Sequence, residues 1–466
     1  MKIEQIYTGC LAQGAYFIES DGEAAVIDPL RETSPYLRRA EQSGANIKYV
    51  FETHFHADFV SGHVDLAQKT GATIVYGPGA VTGFDSYHAQ DGEEFSVGKI
   101  RLRALHTPGH TPESTTYLLL DESGRPHAIF TGDTLFIGDV GRPDLAIKGD
   151  VTERDLAGML YDSLHRKLMP LPDDLIVYPA HGAGSACGKN MSKETSDTLG
   201  NQKATNYALK APSKEAFIEQ VLAGLTTAPQ YFAKNALLNK TGYEPIDAVM
   251  ARGSQALSPV AFEAAVNETG ALVLDVRPAA EFARGFIPNA INIGLDGQFA
   301  PWVGALIPDL LYPIALVTPQ GKEEETVLRL ARVGYDHCIG YLEGGFDVWK
   351  TAGYEVDRIE SITADDFAQR HQANPNLPVV DVRRPAEFAT GHVEGAKNHP
   401  LDDLNDHLAE IPRDEAVFVH CAGGYRSMVA ASILKARGFD RLVNVEGGIG
   451  AIEKTGRVPM TTAAAV

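Results

Sequence analysis

One stretch of this chain is written twice. LVLDVRPAAEFARGFIPNAINI (272–293) returns as PVVDVRRPAEFATGHVEGAKNH (378–399), and GYDHCIGYLEGGFDVW (334–349) returns as GFDRLVNVEGGIGAI (438–452). The repeating unit is roughly 100 residues, long enough to bury a core of its own. Two copies of that length are tandem domains, because a solenoid stacks many shorter units. With 466 residues the chain is also too long for a single core. The expected organisation is a first domain over 1–245 with its C-terminal linker, one repeat over 255–356 and the other over 360–460.

The part before the repeats alternates short apolar runs with turns. AAVID (24–28), KYVFETH (48–54), TIVYG (73–77), IRLRALHTPGH (100–110), TTYLLL (115–120), AIFTGD (128–133) and LIVYPAHG (175–182) read as buried strands. Several end in His or Asp, and strand ends are where α/β folds place their chemistry. From Lys189 to Lys214 the composition turns polar, and the stretch between about 190 and 255 reads as a domain tail running into a linker. The expected class is α/β throughout.

Composition narrows the functions. The chain is 44% hydrophobic and 22% charged, which suits a globular fold. Its net charge of −20 argues against bulk nucleic-acid binding. There is no run of about 18 apolar residues and no charged-then-apolar leader pattern, so neither membrane insertion nor export is expected. The four cysteines, Cys10, Cys187, Cys338 and Cys421, form no CxxC pair and too sparse a set for a disulfide framework. That suits a reducing compartment, and the cytoplasm is the expected location.

THFHADF (53–59) follows a strand and brings His54, His56 and Asp58 onto one loop. His110 arrives on TPGHT, Asp133 on TGD and His181 on YPAHG. A lone loop histidine is usually just solvated. Imidazoles and carboxylates converging from separate strand ends suit a divalent transition metal. Spacing alone allows either His54 or His56 as a ligand.

The order HxHxD, TPGHT, TGD, YPAHG resembles the metallo-β-lactamase superfamily, which implies an αββα sandwich for the first domain. Dinuclear members carry HxHxDH, and here the last position is Phe59, whose ring cannot ligate. The pattern is most similar to the persulfide dioxygenase branch, which implies one mononuclear non-heme Fe(II) per chain. By that resemblance His54, His110 and Asp133 are the ligands, while His56, Asp58 and His181 orient them or bound water. IGDVGRPDL (137–145) looks like the family's substrate loop, with Arg142 holding an anionic group of the thiol carrier. Cys187 is expected either near the pocket mouth or as an inert buried cysteine.

The repeats resemble rhodanese. DVRRPAEFATGHVEGAKN matches the family's first strand–loop–helix, and VFVHCAGGYRSMVAASIL (417–434) matches its active loop. A cysteine at a helix N-terminus gains from the helix dipole and from free backbone N–H groups, which favour a thiolate. Cys421 is thus the expected nucleophile and Arg426 an anion-binding partner. In the first copy, IALVTPQGKEEETVLRLA (314–331), Pro319 aligns with the nucleophile and no cysteine replaces it, so that copy is expected to be inactive. The resemblance as a whole implies oxidation of a low-molecular-weight thiol persulfide by O2 to sulfite and thiol, with thiosulfate formed or used through a Cys421 persulfide. Partners are then small molecules, with a homo-oligomer permitted. Rival expectations are a zinc-dependent thioester hydrolase of the glyoxalase II type fused to a sulfurtransferase, and a sulfur-carrier or redox-sensing protein with a vestigial metal site.

Overall fold

The computed structural model describes residues 1–146, 151–225 and 227–462. The chain divides into two compact units, Met1–Ala248 with Leu330–Tyr335, and Val249–Arg329 with Asp336–Val466. Among the described residues no helix is long and apolar enough to cross a membrane.

The first unit holds two six-stranded sheets. The first runs in chain order through β1 (Lys2–Thr8), β2 (Gln13–Ser20), β3 (Glu23–Ile27), β4 (Asn46–Phe51), β5 (Thr73–Tyr76) and β6 (Tyr87–His88). The second comprises β7 (Glu94–Val97), β8 (Ile100–His106), β9 (Thr115–Leu120), β10 (Pro126–Gly132), β11 (Ile176–Pro179) and β12 (Asp197–Thr198). Strand alternation sorts their side chains onto two faces. Tyr16, Ile18, Ala25, Ile27 and Phe51 meet Leu102, Ala104, Tyr117, Leu119 and Phe130 in a core between the sheets. The intervening residues Phe17, Ala24, Val26 and Val50 pack outward on Tyr36, Ala40 and Leu66 of the helices Ser34–Ser43 and His63–Thr70. Leu118, Leu120, Ile129 and Val177 do the same against helices Glu153–Ser163 and Lys214–Leu222. These strands are apolar on both faces, as buried sheets require, and the result is the αββα sandwich.

The second unit repeats one topology. Its first parallel sheet has the order β13 (Ala256–Leu257), β17 (Cys338–Leu342), β16 (Ile314–Val317), β14 (Leu272–Asp275), β15 (Ile291–Asn292). The second has the equivalent order β18 (Glu360–Ile362), β23 (Leu442–Val445), β22 (Val417–His420), β19 (Val379–Asp381), β21 (Lys397–Asn398). β20 (His392–Val393) pairs with β24 (Met460–Thr461) apart from it.

Strand register corrects one sequence alignment. Asp275 pairs with Val317, and Asp381 pairs with His420. Thr318, not Pro319, therefore occupies the position of Cys421. The turn behind the loop agrees, since a Cβ on Gly345 would approach the Thr318 carbonyl as one on Gly448 would approach that of Cys421. Sequence matching slipped by one residue because Gly321 can be set against either Gly423 or Gly424; the structure puts it at Gly424, and both have left-handed backbones (φ +79 and +100). The first copy still lacks a sulfur nucleophile at that position.

Candidate metal centre and sulfur-transfer loop

In the first unit, His54 and His56 leave the end of β4, His110 sits between β8 and β9, Asp133 follows β10, and His181 follows β11. The structure brings three of them to one point. Asp133 Oδ2 lies 3.4 Å from His110 Nε2 and 3.9 Å from His54 Nε2, and all three residues are buried.

Both imidazoles are fixed in one tautomer by their other nitrogen. His110 Nδ1–H donates to the Arg142 carbonyl at 2.8 Å. His54 Nδ1–H donates to Thr53 Oγ1 at 3.0 Å, because that hydroxyl spends its own proton on Asp28 Oδ2 at 2.8 Å. The Thr53 amide donates to Asp28 Oδ1 as well. Each Nε2 is left with its lone pair directed at the Asp133 side. Burial, and then His56, hold His54 well below the ordinary histidine pKa, which keeps it neutral. Gly132 makes this closeness possible: at φ +52 it has a left-handed backbone, and a Cβ there would lie 2.5 Å from Thr53 Oγ1.

Asp133 is held from the other side. Its Oδ1 accepts from His181 Nδ1 at 2.8 Å, and His181 Nε2 lies 2.8 Å from Asp58 Oδ2. Burial opposes ionisation of Asp133, but His181, His110 and His54 outweigh it and hold the carboxyl far below the usual range. Burial likewise opposes charge on His181, and the flanking Asp133 and Asp58 reverse that and raise its pKa. Asp133 Oδ2 is left buried with no hydrogen-bond partner. An orphaned carboxylate oxygen facing two imidazole lone pairs is a donor set waiting for a cation. The separations suit donors sharing one ion at about 2.1 Å, so His54, His110 and Asp133 fit a metal.

His56 goes elsewhere. Its Nε2 lies 3.0 Å from Asp28 Oδ1 and 3.6 Å from Glu52 Oε2, and its ring packs on Phe59 at 4.4 Å. Burial and Asp28 raise the Glu52 carboxyl, which takes a hydrogen bond from Ser61. Asp58 and His181 gather with Cys187, one donor atom of each lying within 4.8 Å of the others. The Cys187 thiol is buried, and burial with Asp58 and Asp133 pushes its pKa well up, so it is a thiol and not a reactive thiolate. Arg142 departs from expectation. Its guanidinium is buried and closed on Asp144 by two bonds of 2.6 Å, and it reaches the site through its backbone carbonyl. Asp28, Glu52 and Thr53 escaped sequence reasoning; the one available signal was Asp28 at the end of the strand AAVID.

In the second unit, Cys421 follows β22 directly and precedes helix Tyr425–Ala436. Its Sγ accepts from the Gly424 amide at 3.1 Å and lies 3.6 Å from Ser427 Oγ. Gly424 caps the helix at φ +100, a left-handed conformation that turns its N–H onto the sulfur. Gly448 supports the loop from behind: a Cβ there would lie 2.2 Å from the Cys421 carbonyl, which accepts from Ile449 N. Arg426 is not left open as the sequence suggested. Glu387 grips it at 2.6 and 2.7 Å, and this pairing, against the cost of burial, raises the Arg426 pKa further. Tyr425 donates its hydroxyl proton to the Gly294 carbonyl of the first copy at 2.8 Å.

A sandwich with a His–His–Asp donor set at its strand ends, followed by duplicated sheets bearing one cysteine loop, defines a metal-binding αββα protein joined to a sulfurtransferase-type fold. Comparison with known proteins agrees. Residues 8–181 match the metallo-beta-lactamase superfamily, and residues 258–352 and 363–455 match the rhodanese-like domain. The chain is 34% identical over 172 residues to a probable hydroxyacylglutathione hydrolase, glo2, of Schizosaccharomyces pombe, covering 36% of this chain and 62% of that one. It is 34% identical over 163 residues to the mitochondrial persulfide dioxygenase ETHE1 of Homo sapiens, covering 34% and 59%. It thus spans about three fifths of the length of these two curated relatives. A crystal structure of a metallo-beta-lactamase from Staphylococcus aureus subsp. aureus COL superposes with a TM-score of 0.67 at 32% identity, covering 73% of this chain and 99% of that one. This chain belongs to the metallo-beta-lactamase superfamily and carries two rhodanese-like domains after the metal-binding one.

Proposed function

We propose that the first domain oxidises a low-molecular-weight thiol persulfide, and that the last domain transfers sulfane sulfur through Cys421. The overall oxidation balances as R–S–SH + O2 + H2O giving R–SH and sulfurous acid, which ionises to sulfite. The observation that carries the reading is the trio of His54, His110 and Asp133, with Phe59, which offers no donor, in the adjoining position. Two imidazoles and one carboxylate on one side suit a single ferrous ion with open positions, and such an ion supplies the redox chemistry for O2. The chain's own part is to fix the Nδ1–H tautomer of both imidazoles through Thr53 and the Arg142 carbonyl, and to keep Asp133 ionised beside His181, which Asp58 holds in turn. A human persulfide dioxygenase among the relatives supports the substrate class.

At the second site the Cys421 thiolate attacks the outer sulfur of thiosulfate. The S–S bond breaks, sulfite leaves with the electron pair, and Cys421 becomes a persulfide. A thiolate acceptor then takes the outer sulfur and the Cys421 thiolate returns. The Gly424 amide and the helix N-terminus hold the sulfur anion at both stages. Sulfite made in the first domain is a substrate for the reverse of this cycle, which yields thiosulfate.

One observation favours a second reading. Cys187 joins Asp58 and His181 in a second donor cluster, and a hydrolase is as similar in sequence as the dioxygenase. Two zinc ions and thioester hydrolysis would follow. The variants Asp133→Ala and Cys421→Ser separate the activities. The first should abolish oxygen uptake with persulfide and keep sulfur transfer to cyanide, and the second should do the reverse. Oxygen uptake that survives Asp133→Ala would sink the proposal.

A further inference from the structure

The two rhodanese-like copies differ at a position that packing does not explain. Ile293 and His399 follow the equivalent strands β15 and β21, and their amides donate to the equivalent carbonyls of Asp275 and Asp381. In the first copy the place is filled by a fully buried isoleucine. In the second it is filled by an imidazole that is only 2% exposed and has no hydrogen bond on either ring nitrogen. A buried polar ring without a partner is a cost that an apolar residue avoids.

What the ring faces gives the reason. The 3-10 helix Leu401–Glu410 brings His407 and Glu410 over it. Three residues make one turn of such a helix, so these two side chains share a face, and His407 Nδ1 lies 2.9 Å from Glu410 Oε1. The His407 ring stacks on that of His399 at 4.6 Å. One donor atom from each of the three residues lies within 4.8 Å of the other two.

We propose that His399, His407 and Glu410 form a separate cation site, suited to zinc(II) or another divalent transition metal of similar preference. Two imidazoles and one carboxylate leave a fourth position for water in a zinc site. Glu410 is exposed and His407 half-buried, so solvent reaches the site. Lys397 Nζ donates to the Glu410 backbone carbonyl at 3.5 Å, while the Glu410 carboxylate pairs with His407.

The site has a route to the chemistry. The same helix begins near Asp402, which pairs with Arg384 at 3.8 Å and feels the charge of Arg426. Pinning its far end to β21 steadies a segment that borders the arginine of the active loop.

The test uses the full-length protein with iron in the first domain, dialysed against zinc and then measured for zinc content. Wild type should retain one more equivalent than His407→Ala, Glu410→Ala or His399→Ile. Zinc should raise the Tm of the wild type by more than that of any of the three variants. His399→Ile places the first copy's residue in the same frame, so its fold without zinc should be as stable as wild type. Equal zinc content in wild type and all three variants would overturn the proposal. So would a zinc-induced Tm rise that His399→Ile retains in full.

Discussion

Thr53→Val tests how the metal centre is held. The substitution keeps the shape of the side chain and removes its hydroxyl. That hydroxyl donates to Asp28 at 2.8 Å and accepts from His54 Nδ1 at 3.0 Å, in a site closed to solvent. The bond to the carboxylate is charge-assisted, worth about 1.5–3 kcal/mol, and the bond from the imidazole about 1 kcal/mol. Both partners stay buried, so the apo protein should lose about 2.5–4 kcal/mol of stability. The larger effect is on metal binding. Without an acceptor at Nδ1, His54 no longer has its tautomer or ring orientation fixed, and outer hydrogen bonds of this kind contribute about 10–100-fold in metal affinity. The assay is competition for iron against a chelator of known strength, beside thermal unfolding of the apo forms. Thr53→Ser restores the hydroxyl and should recover most of the affinity. Wild-type iron affinity in Thr53→Val would refute this account of how His54 is held.

Three further outcomes are expected. Arg426, mainly by its hydrogen bonds, holds Glu387 below its ordinary pKa of 4.5, so the pair's stabilisation is full above that value and is lost as pH falls through the depressed one. Wild-type Tm should therefore fall more steeply in acid than that of Glu387→Gln, and at neutral pH the variant, with Arg426 released, should show a lower KM for thiosulfate; unchanged KM contradicts a competing role for Glu387. Tyr425→Phe removes the bond to Gly294 and should cost about 1 kcal/mol and lower the kcat of sulfur transfer, as followed by chemical denaturation and cyanide-dependent kinetics. Thr318→Cys, in a Cys421→Ser background, supplies a thiol at the equivalent register and should give no sulfur transfer, because Pro319 and Gln320 stand in place of Ala422 and Gly423 and an acidic Glu323 in place of Arg426; measurable thiocyanate would show that the surrounding loop is dispensable.

What the sequence revealed and what it hid follow from the range of the interactions. The apolar runs and the repeat declare buried strands and a duplicated unit, because burial of a strand is written in its own residues; the αββα sandwich followed only from the resemblance of the motifs to a known superfamily. The motifs on THFHADF, TPGHT and TGD name the residues that meet at the metal centre. They do not say that His56 turns to Asp28 and Glu52, since that choice depends on a strand some 25 residues earlier. Arg142 and Arg426 looked like free anion binders because Asp144 and Glu387 gave no sign in sequence that they would close on them. The slip from Thr318 to Pro319 has a related origin: register is set by hydrogen bonds between strands, and Gly321 beyond β16 matches either Gly423 or Gly424 by sequence alone.

The central claim is a single iron centre that consumes oxygen. The measurement is the metal content of the protein as purified, together with oxygen uptake and sulfite formation across a panel of thiol persulfides. One iron per chain is expected and, with the preferred persulfide, one O2 consumed for each sulfite formed. Two zinc ions per chain, cleavage of an acyl-glutathione thioester and no oxygen uptake with any persulfide would contradict it.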